Sequence, residues 1–212
     1  MKIITKEQAI DLVKDGAFLG TTGFAGCDVP ETLMAACEER FLTTGHPANL
    51  TLQFSAGIGD SKTRGTNHFG NQGMLKRVIA GHYGLAPRLG KLISDNQVEA
   101  YNLPQGIVAH LWRAAAGKKP GILSRVGLKT YIDPRIEGGK MNERTKRLPD
   151  IVDIIKYKDE EYMFYNQIPI DVCIIRGTEC DEMGNLTTTE EAMKLEVLPA
   201  VMAAKRYGGR VI

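Results

Sequence analysis

The sequence predicts an α/β fold, a mainly parallel open sheet with helices on both faces. Three observations carry that expectation. Short apolar runs of strand character alternate with segments of helical period along most of the chain. One run, Ile170-Asp171-Val172-Cys173-Ile174-Ile175, is almost continuously apolar, as a strand buried on both faces must be. Helix-start and turn residues fall at the joints between the runs.

Taken in chain order, Thr5-Lys6-Glu7-Gln8 has the form of a capping box, and Ala9, Ile10, Leu12 and Val13 supply an apolar stripe for a helix over 6–14. Ala17–Thr22 reads as a short buried strand. Pro30 suits a first helical turn, where its missing N–H costs nothing, and Leu33, Met34, Cys37 and Phe41 follow at helical spacing. Asn49–Asp60 is a strand running into a second glycine-containing loop. Val78–Ala80 and Val98–Tyr101 are short strands with a helix near Ala86–Asp95 between them. Gln105–Gly117 is a helix whose stripe is Ile107, Val108, Leu111, Trp112 and Ala115, with His110 and Arg113 outside it.

Residues 118–168 are less regular, rich in charge and in aromatic residues around Glu160–Asn166, and are expected to form a β-rich excursion. Ile170–Gly177 returns to the buried sheet, Asp181–Leu186 is a turn, and 190–206 is read as a helix. Gly208-Gly209 then lead into Arg210–Ile212. Three strand residues are too short for a central strand, so the chain is expected to be a single domain, 1–212, cut within a longer polypeptide.

Bulk properties narrow the function. The 27 basic and 25 acidic residues leave a net charge of +2, with no basic block that would ask for nucleic acid or an anionic membrane. No apolar run approaches the ~20 residues of a membrane span. The N-terminal residues enter an amphipathic pattern directly, without a signal-peptide core, and a cytoplasmic location is expected. Cys27, Cys37, Cys173 and Cys180 form no CxxC pair and are expected to be reduced. The histidines, His46, His68, His82 and His110, have no metal-ligand spacing, so no metal is expected.

Ligands of open α/β sheets sit beyond the carboxyl ends of the strands, which singles out the loops Thr21–Pro30, Ser55–Thr66 and Asn102–Gly106. Gly20, Gly23 and Gly26 make the first loop GxxGxxG. A dinucleotide fingerprint needs GxGxxG and a later acidic residue at the end of the next strand, which here ends in Ser55-Ala56-Gly57. That mismatch argues against a phosphate cradle and for a tight turn. In Tyr101-Asn102-Leu103-Pro104-Gln105-Gly106, a strand ends, proline stiffens the turn and Gln105 begins a helix. Its amide could serve a ligand oxygen or a neighbouring loop. Arg64, His68, His82 and Arg113 read as solvated or structural.

These blocks resemble family I coenzyme A transferases, and among them the N-terminal half of the acetate/propionate enzymes. The resemblance runs through the chain. It is carried by Asp15-Gly16, Thr22-Gly23-Phe24 and Asp28-Val29-Pro30, with Thr22 and Asp28 standing where the family pattern has glycine. It is carried further by LKRVIAGHYGLAP (75–87), EAYNLPQG (99–106), KPGILSRVGLKTYIDPR (119–135), GGKMNE (138–143), EEYMFY (160–165) and IIRGTECDEMGNLT (174–187).

The resemblance implies a CoA-transferase/sugar-phosphate isomerase-like fold and transfer of CoA between short carboxylic acids such as acetate and propionate. In that chemistry a glutamate carboxylate attacks an acyl-CoA and is converted to a glutamyl-CoA thioester. CoA is a substrate, and no permanently bound cofactor is implied. The family glutamate lies in an E-N-G or E-S-G motif of the C-terminal half or β subunit; Glu143, Glu179, Glu190 and Glu191 lack that context. The implied partners are that half and, for the assembled enzyme, further copies. Matched residue by residue, Gln105 takes the place of the family glutamine that donates to substrate or oxyanion. Thr22, Gly23, Phe24, Ser55, Ala56 and Gly57 match loops lining the acyl side of the cleft. The alternative is a binding or assembly module of the same fold that acts alone.

Overall fold

The computed structural model describes residues 3–212; Met1 and Lys2, the start of the stretch read for a leader, lie outside them. The elements follow the predicted alternation. Helix α1 (Lys6–Ile10) is capped at Thr5 by the predicted box, in which Gln8 N–H donates to the Thr5 hydroxyl and Thr5 N–H to the Gln8 side chain. It is one turn rather than the expected run to residue 14, and single turns continue it to Val13. Then come β1 (Phe18–Thr21), α2 (Glu31–Thr44), β2 (Leu50–Phe54), a short 3₁₀ turn, β3 (Leu75–Ala80), α3 (Pro87–Ser94), β4 (Glu99–Asn102) and α4 (Gln105–Ala116).

The excursion contains β5 (Gly121–Ser124), α5 (Glu143–Lys146), β6 (Val152–Tyr157) and β7 (Glu160–Asn166). These strands form a separate antiparallel sheet in the order β5-β7-β6. The chain returns through β8 (Val172–Ile174), the small hairpin β9 (Glu179–Cys180) and β10 (Leu186–Thr187), α6 (Val197–Arg206) and β11 (Arg210–Val211).

The main sheet has six parallel strands in the order β11-β8-β1-β2-β3-β4. Among the described residues the last strand, β11, pairs with β8 at the edge of the sheet. Two apolar cores cover the sheet. One gathers Ile10, Met34, Cys37, Leu89 and Ile93 from α1, α2 and α3 with Leu19, Leu52 and Val78. The other packs α4 and α6, through Val108, Trp112, Ala200 and Ala204, over Ile79, Tyr101 and Cys173, with Met163 and Tyr165 of the small sheet alongside. The predicted stripe of α4 is buried throughout, while His110 and Arg113 are exposed.

The helix read over 190–206 begins only at Val197. Pro199 falls in its first turn, where its absent N–H is harmless. The preceding residues are held by other contacts: Glu191 accepts from the Arg176 guanidinium at 3.0 Å, and Leu195 has φ of 32°, outside helical geometry.

Candidate active site

Because every strand of the main sheet runs the same way, all their carboxyl ends meet on one edge. Strand order reverses between β1 and β8, the position at which sheets of this class open a crevice. The three loops singled out in the sequence lie along that carboxyl edge, the first against the β2 loop and Asn102–Gly106 against the end of β3. The β1–α2 loop lies on the β2 loop as a short ladder: Ala25 N–H donates to Gly57 C=O at 2.7 Å, and Gly59 N–H to Ala25 C=O at 2.9 Å. Within the first loop, Phe24 and Cys27 exchange both backbone hydrogen bonds across a two-residue turn. Phe24 projects from it, 42% exposed. Thr22 is buried, and its hydroxyl oxygen has no hydrogen-bond partner among the described residues.

The second loop is anchored from beneath. The Trp112 indole N–H of α4 donates to the Ser55 hydroxyl at 3.2 Å, so this side chain is turned into the helix layer; Ala56 is buried with it. The Ser55 carbonyl accepts from Gly81 N–H at 3.0 Å. Gly81 is required there by close approach. A Cβ at this position would lie 2.5 Å from the Ser55 carbonyl oxygen and 2.7 Å from Gln105 Cβ. This packing sets the first turn of α4 directly against the end of β3. Gln105 is exposed at that corner, and its side chain makes no hydrogen bond among the described residues. Thr22, Gly23, Phe24, Ser55, Ala56, Gly57 and Gln105 therefore share one edge of the sheet, with Phe24 and Gln105 the exposed side chains.

One residue that reads from the sequence as solvated or structural lies beside them. His82 follows Gly81 at the end of β3, and its ring lies against Gly57. The local signal was present in Gly81-His82-Tyr83-Gly84, where flanking glycines make room for a ring. The other three histidines are elsewhere. His46 contacts Asp15, His68 bridges Glu31 and Glu38 in a network that also takes Arg88 and Asn71, and His110 is on the exposed side of α4. Among the described residues no cluster of three metal-ligating side chains occurs.

A second polar feature lies beside the crevice. Asp28 has φ of 54°, a left-handed conformation that favours glycine and that an aspartate tolerates. It is 2% exposed, and among the described residues no donor reaches either carboxyl oxygen. The group facing it is the Glu191 carboxylate, itself held by Arg176. Two ionised carboxylates have no hydrogen to share; a proton on Asp28 makes it a donor to Glu191. Burial, with the Glu191 contact next, pushes Asp28 up to about 6. Arg176 opposes that rise.

The sign follows from linkage. Between pH ~4 and ~6 the folded chain keeps a proton that the unfolded chain has released, so this contribution to stability is full below pH ~4 and lost by pH ~6. We expect the loss to be about 1–3 kcal/mol. Thermal unfolding of the native protein and of Asp28→Asn across this range measures it. Asparagine tolerates the backbone and donates without titrating, so its profile should lack the decline; parallel profiles would refute the assignment.

A model of the coenzyme A transferase family matches residues 3–207. The chain is 39% identical over 211 residues to the caffeate CoA-transferase of Acetobacterium woodii, covering 100% of this chain and 40% of the relative. The crystal structure of the acyl-CoA transferase YdiF apoenzyme from Escherichia coli O157:H7 superposes with a TM-score of 0.92 at 33% identity, over 99% of this chain and 42% of that one. The alpha subunit of the acetoacetyl-CoA:acetate/butyrate CoA transferase of Clostridium acetobutylicum is 29% identical over 184 residues, 87% of this chain and 74% of the subunit. The chain thus spans about two fifths of the length of the longer relatives and most of the separate alpha subunit.

Proposed function

The chain belongs to the coenzyme A transferase family, and from that premise we propose that it is the N-terminal, α-subunit-like half of a short-chain acyl-CoA:carboxylate CoA-transferase. The observation that carries this reading is the convergence of the family-matched loops and Gln105 on one parallel-sheet edge. The coverage pattern supports it, since the match spans 40% of the longer caffeate CoA-transferase and 74% of a separate alpha subunit. The edge would be one wall of a cleft whose other wall, with the nucleophilic glutamate, comes from the C-terminal half or a β subunit.

The chemistry is a double displacement. The glutamate carboxylate oxygen attacks the thioester carbonyl, the C–S bond breaks and CoA leaves as thiolate. That thiolate attacks the glutamyl carbonyl of the resulting anhydride, the C–O bond breaks, and the first acid departs as its carboxylate. A glutamyl-CoA thioester remains, and a second carboxylate reverses the sequence. No external proton or oxidant is consumed. YdiF has been solved as a thioester complex with CoA, which is in keeping with such an intermediate in a relative. Each addition places negative charge on a carbonyl oxygen. The part of this chain is to supply pre-positioned donors to that oxygen, Gln105 foremost.

Thr22, Gly23, Phe24, Ser55, Ala56 and Gly57 form the acyl side of the wall in this reading, with Phe24 offering apolar surface to the acyl chain. CoA is a passing substrate. In this reading the assembled enzyme is a cytoplasmic oligomer, and the free thiols of Cys27, Cys37 and Cys173 are in keeping with a reducing compartment.

Joining this chain to its complementary half and measuring CoA exchange between propionyl-CoA and acetate tests the reading. Parallel-line, ping-pong kinetics are expected. No exchange with any acid of two to six carbons would refute it. Micromolar binding of acyl-CoA by this chain without its partner would instead favour the stand-alone module.

A further inference from the structure

We propose that His82 is a substrate-contacting residue of the cleft, its imidazole N–H donating to an oxygen of the acyl group beside Gln105. This rests on the transferase reading above and adds a residue to it.

The backbone around His82 is pinned on every side. Gly81 N–H donates to Ser55 C=O at 3.0 Å, and Gly81 C=O accepts from the Asn102 side-chain amide at 2.8 Å. The buried Tyr83 hydroxyl donates to Tyr101 C=O at 2.6 Å, and its ring meets Phe54 edge-on at 5.9 Å. The imidazole itself occupies a slot made by two glycines. A Cβ on Gly57 would lie 2.4 Å from His82 Nδ1, and a Cβ on Gly84 would lie 2.9 Å from Cε1 and 3.1 Å from Nε2. Any larger residue at either place would have to displace the ring.

An immobilised side chain has lost rotamer freedom, and such a loss is ordinarily offset by bonds made in place. His82 makes none: neither ring nitrogen has a hydrogen-bond or ion-pair partner among the described residues, although the residue is exposed. His46 and His68, by contrast, are both bound to carboxylates. The ring lies against Gly57 of the β2 loop, and the preceding residue, Gly81, packs on Gln105, so both side chains stand at the end of β3. Imidazole N–H and glutamine N–H₂ are both donors, so their common ligand is an oxygen acceptor. In this cleft that acceptor is the carboxylate of the incoming acid or the carbonyl of the acyl group.

The test uses the assembled enzyme. His82→Ala should lower kcat/KM for the acid about tenfold, the weight of one hydrogen bond to a charged acceptor, with an unchanged melting temperature. His82→Gln, which restores an N–H donor, should recover part of the loss. Gly57→Ala, which displaces the ring and keeps it, should reproduce the loss. The proposal is overturned if His82→Ala stays within twofold of the parent, if its loss tracks a fall in melting temperature, or if glutamine recovers nothing.

A second readout needs no turnover. With selectively labelled histidine, the His82 Cε1–H resonance should move on addition of propionate, and a resonance unmoved at saturating acid overturns the contact. An enzyme that exchanges no CoA while this resonance moves would refute the transferase reading and leave the contact standing.

Discussion

Gln105→Ala in the assembled enzyme is expected to lower kcat about 10²-fold, the usual result of removing one donor from a developing oxyanion. The structure explains why this side chain is available. Pro104 precedes it at φ −57° and ψ 126°, an extended geometry that ends β4 and starts α4 at Gln105. Gly81 lets the β3 end approach within contact of the Gln105 backbone, so the residue stands on a rigid corner. Among the described residues its amide makes no hydrogen bond, and its N–H groups are the expected donors to the ligand.

Because the interaction strengthens as charge develops, kcat and kcat/KM should fall together while KM changes little. Gln105→Glu, which replaces a donor by an acceptor, should be at least as severe. A loss below twofold in Gln105→Ala, measured by CoA exchange, would make the glutamine structural.

Asn142→Ala is expected to destabilise the fold by about 3–4 kcal/mol, the sum of several buried groups left unpaired. Asn142 lies in the GGKMNE block and is 8% exposed. Its amide donates to Ile93 C=O at 2.8 Å and Val98 C=O at 2.9 Å, closing the turn between α3 and β4. Its oxygen accepts from Thr145 N–H at 3.0 Å, capping α5, and from the Thr145 hydroxyl at 2.6 Å. Thr145 in turn accepts from Ala100 N–H at 2.8 Å, within β4.

One side chain thus ties the excursion to the edge strand that leads into Gln105. Chemical denaturation should show the lost stability with an unchanged dependence on denaturant. A change below 1 kcal/mol would mean that water replaces these bonds. The block that helped identify the family is, at this residue, a structural clasp.

Much of the fold was legible because it rests on local chemistry. The capping box at Thr5, the start of α4 after Pro104, the buried run of β8 and the stripe of α4 each follow from periodicity and a few boundary residues. The loops of the site were legible for the same reason, since parallel strands put their carboxyl ends together. His82 reads from the sequence as solvated or structural, and its slot is invisible there because it is made by Gly57, a residue of another strand's loop, as well as by its neighbour Gly84. The helix at 190–206 was overextended because Glu191 is held by Arg176, far away in sequence, and periodicity carries no trace of that bond.

The sequence by itself determined the strand–helix alternation, the family and the loops that meet at the carboxyl edge. Each depends on side-chain period, turn chemistry or motif spacing over a few residues. Only the tertiary structure decided which side chains at that edge are presented and which are spent. Ser55 turned inward to Trp112, Asp28 found itself against Glu191, and Gln105 and His82 stood exposed and, among the described residues, unpaired. The physical reason is that hydrogen-bond satisfaction and burial are properties of neighbours in space, and those neighbours come from strands distant in the chain.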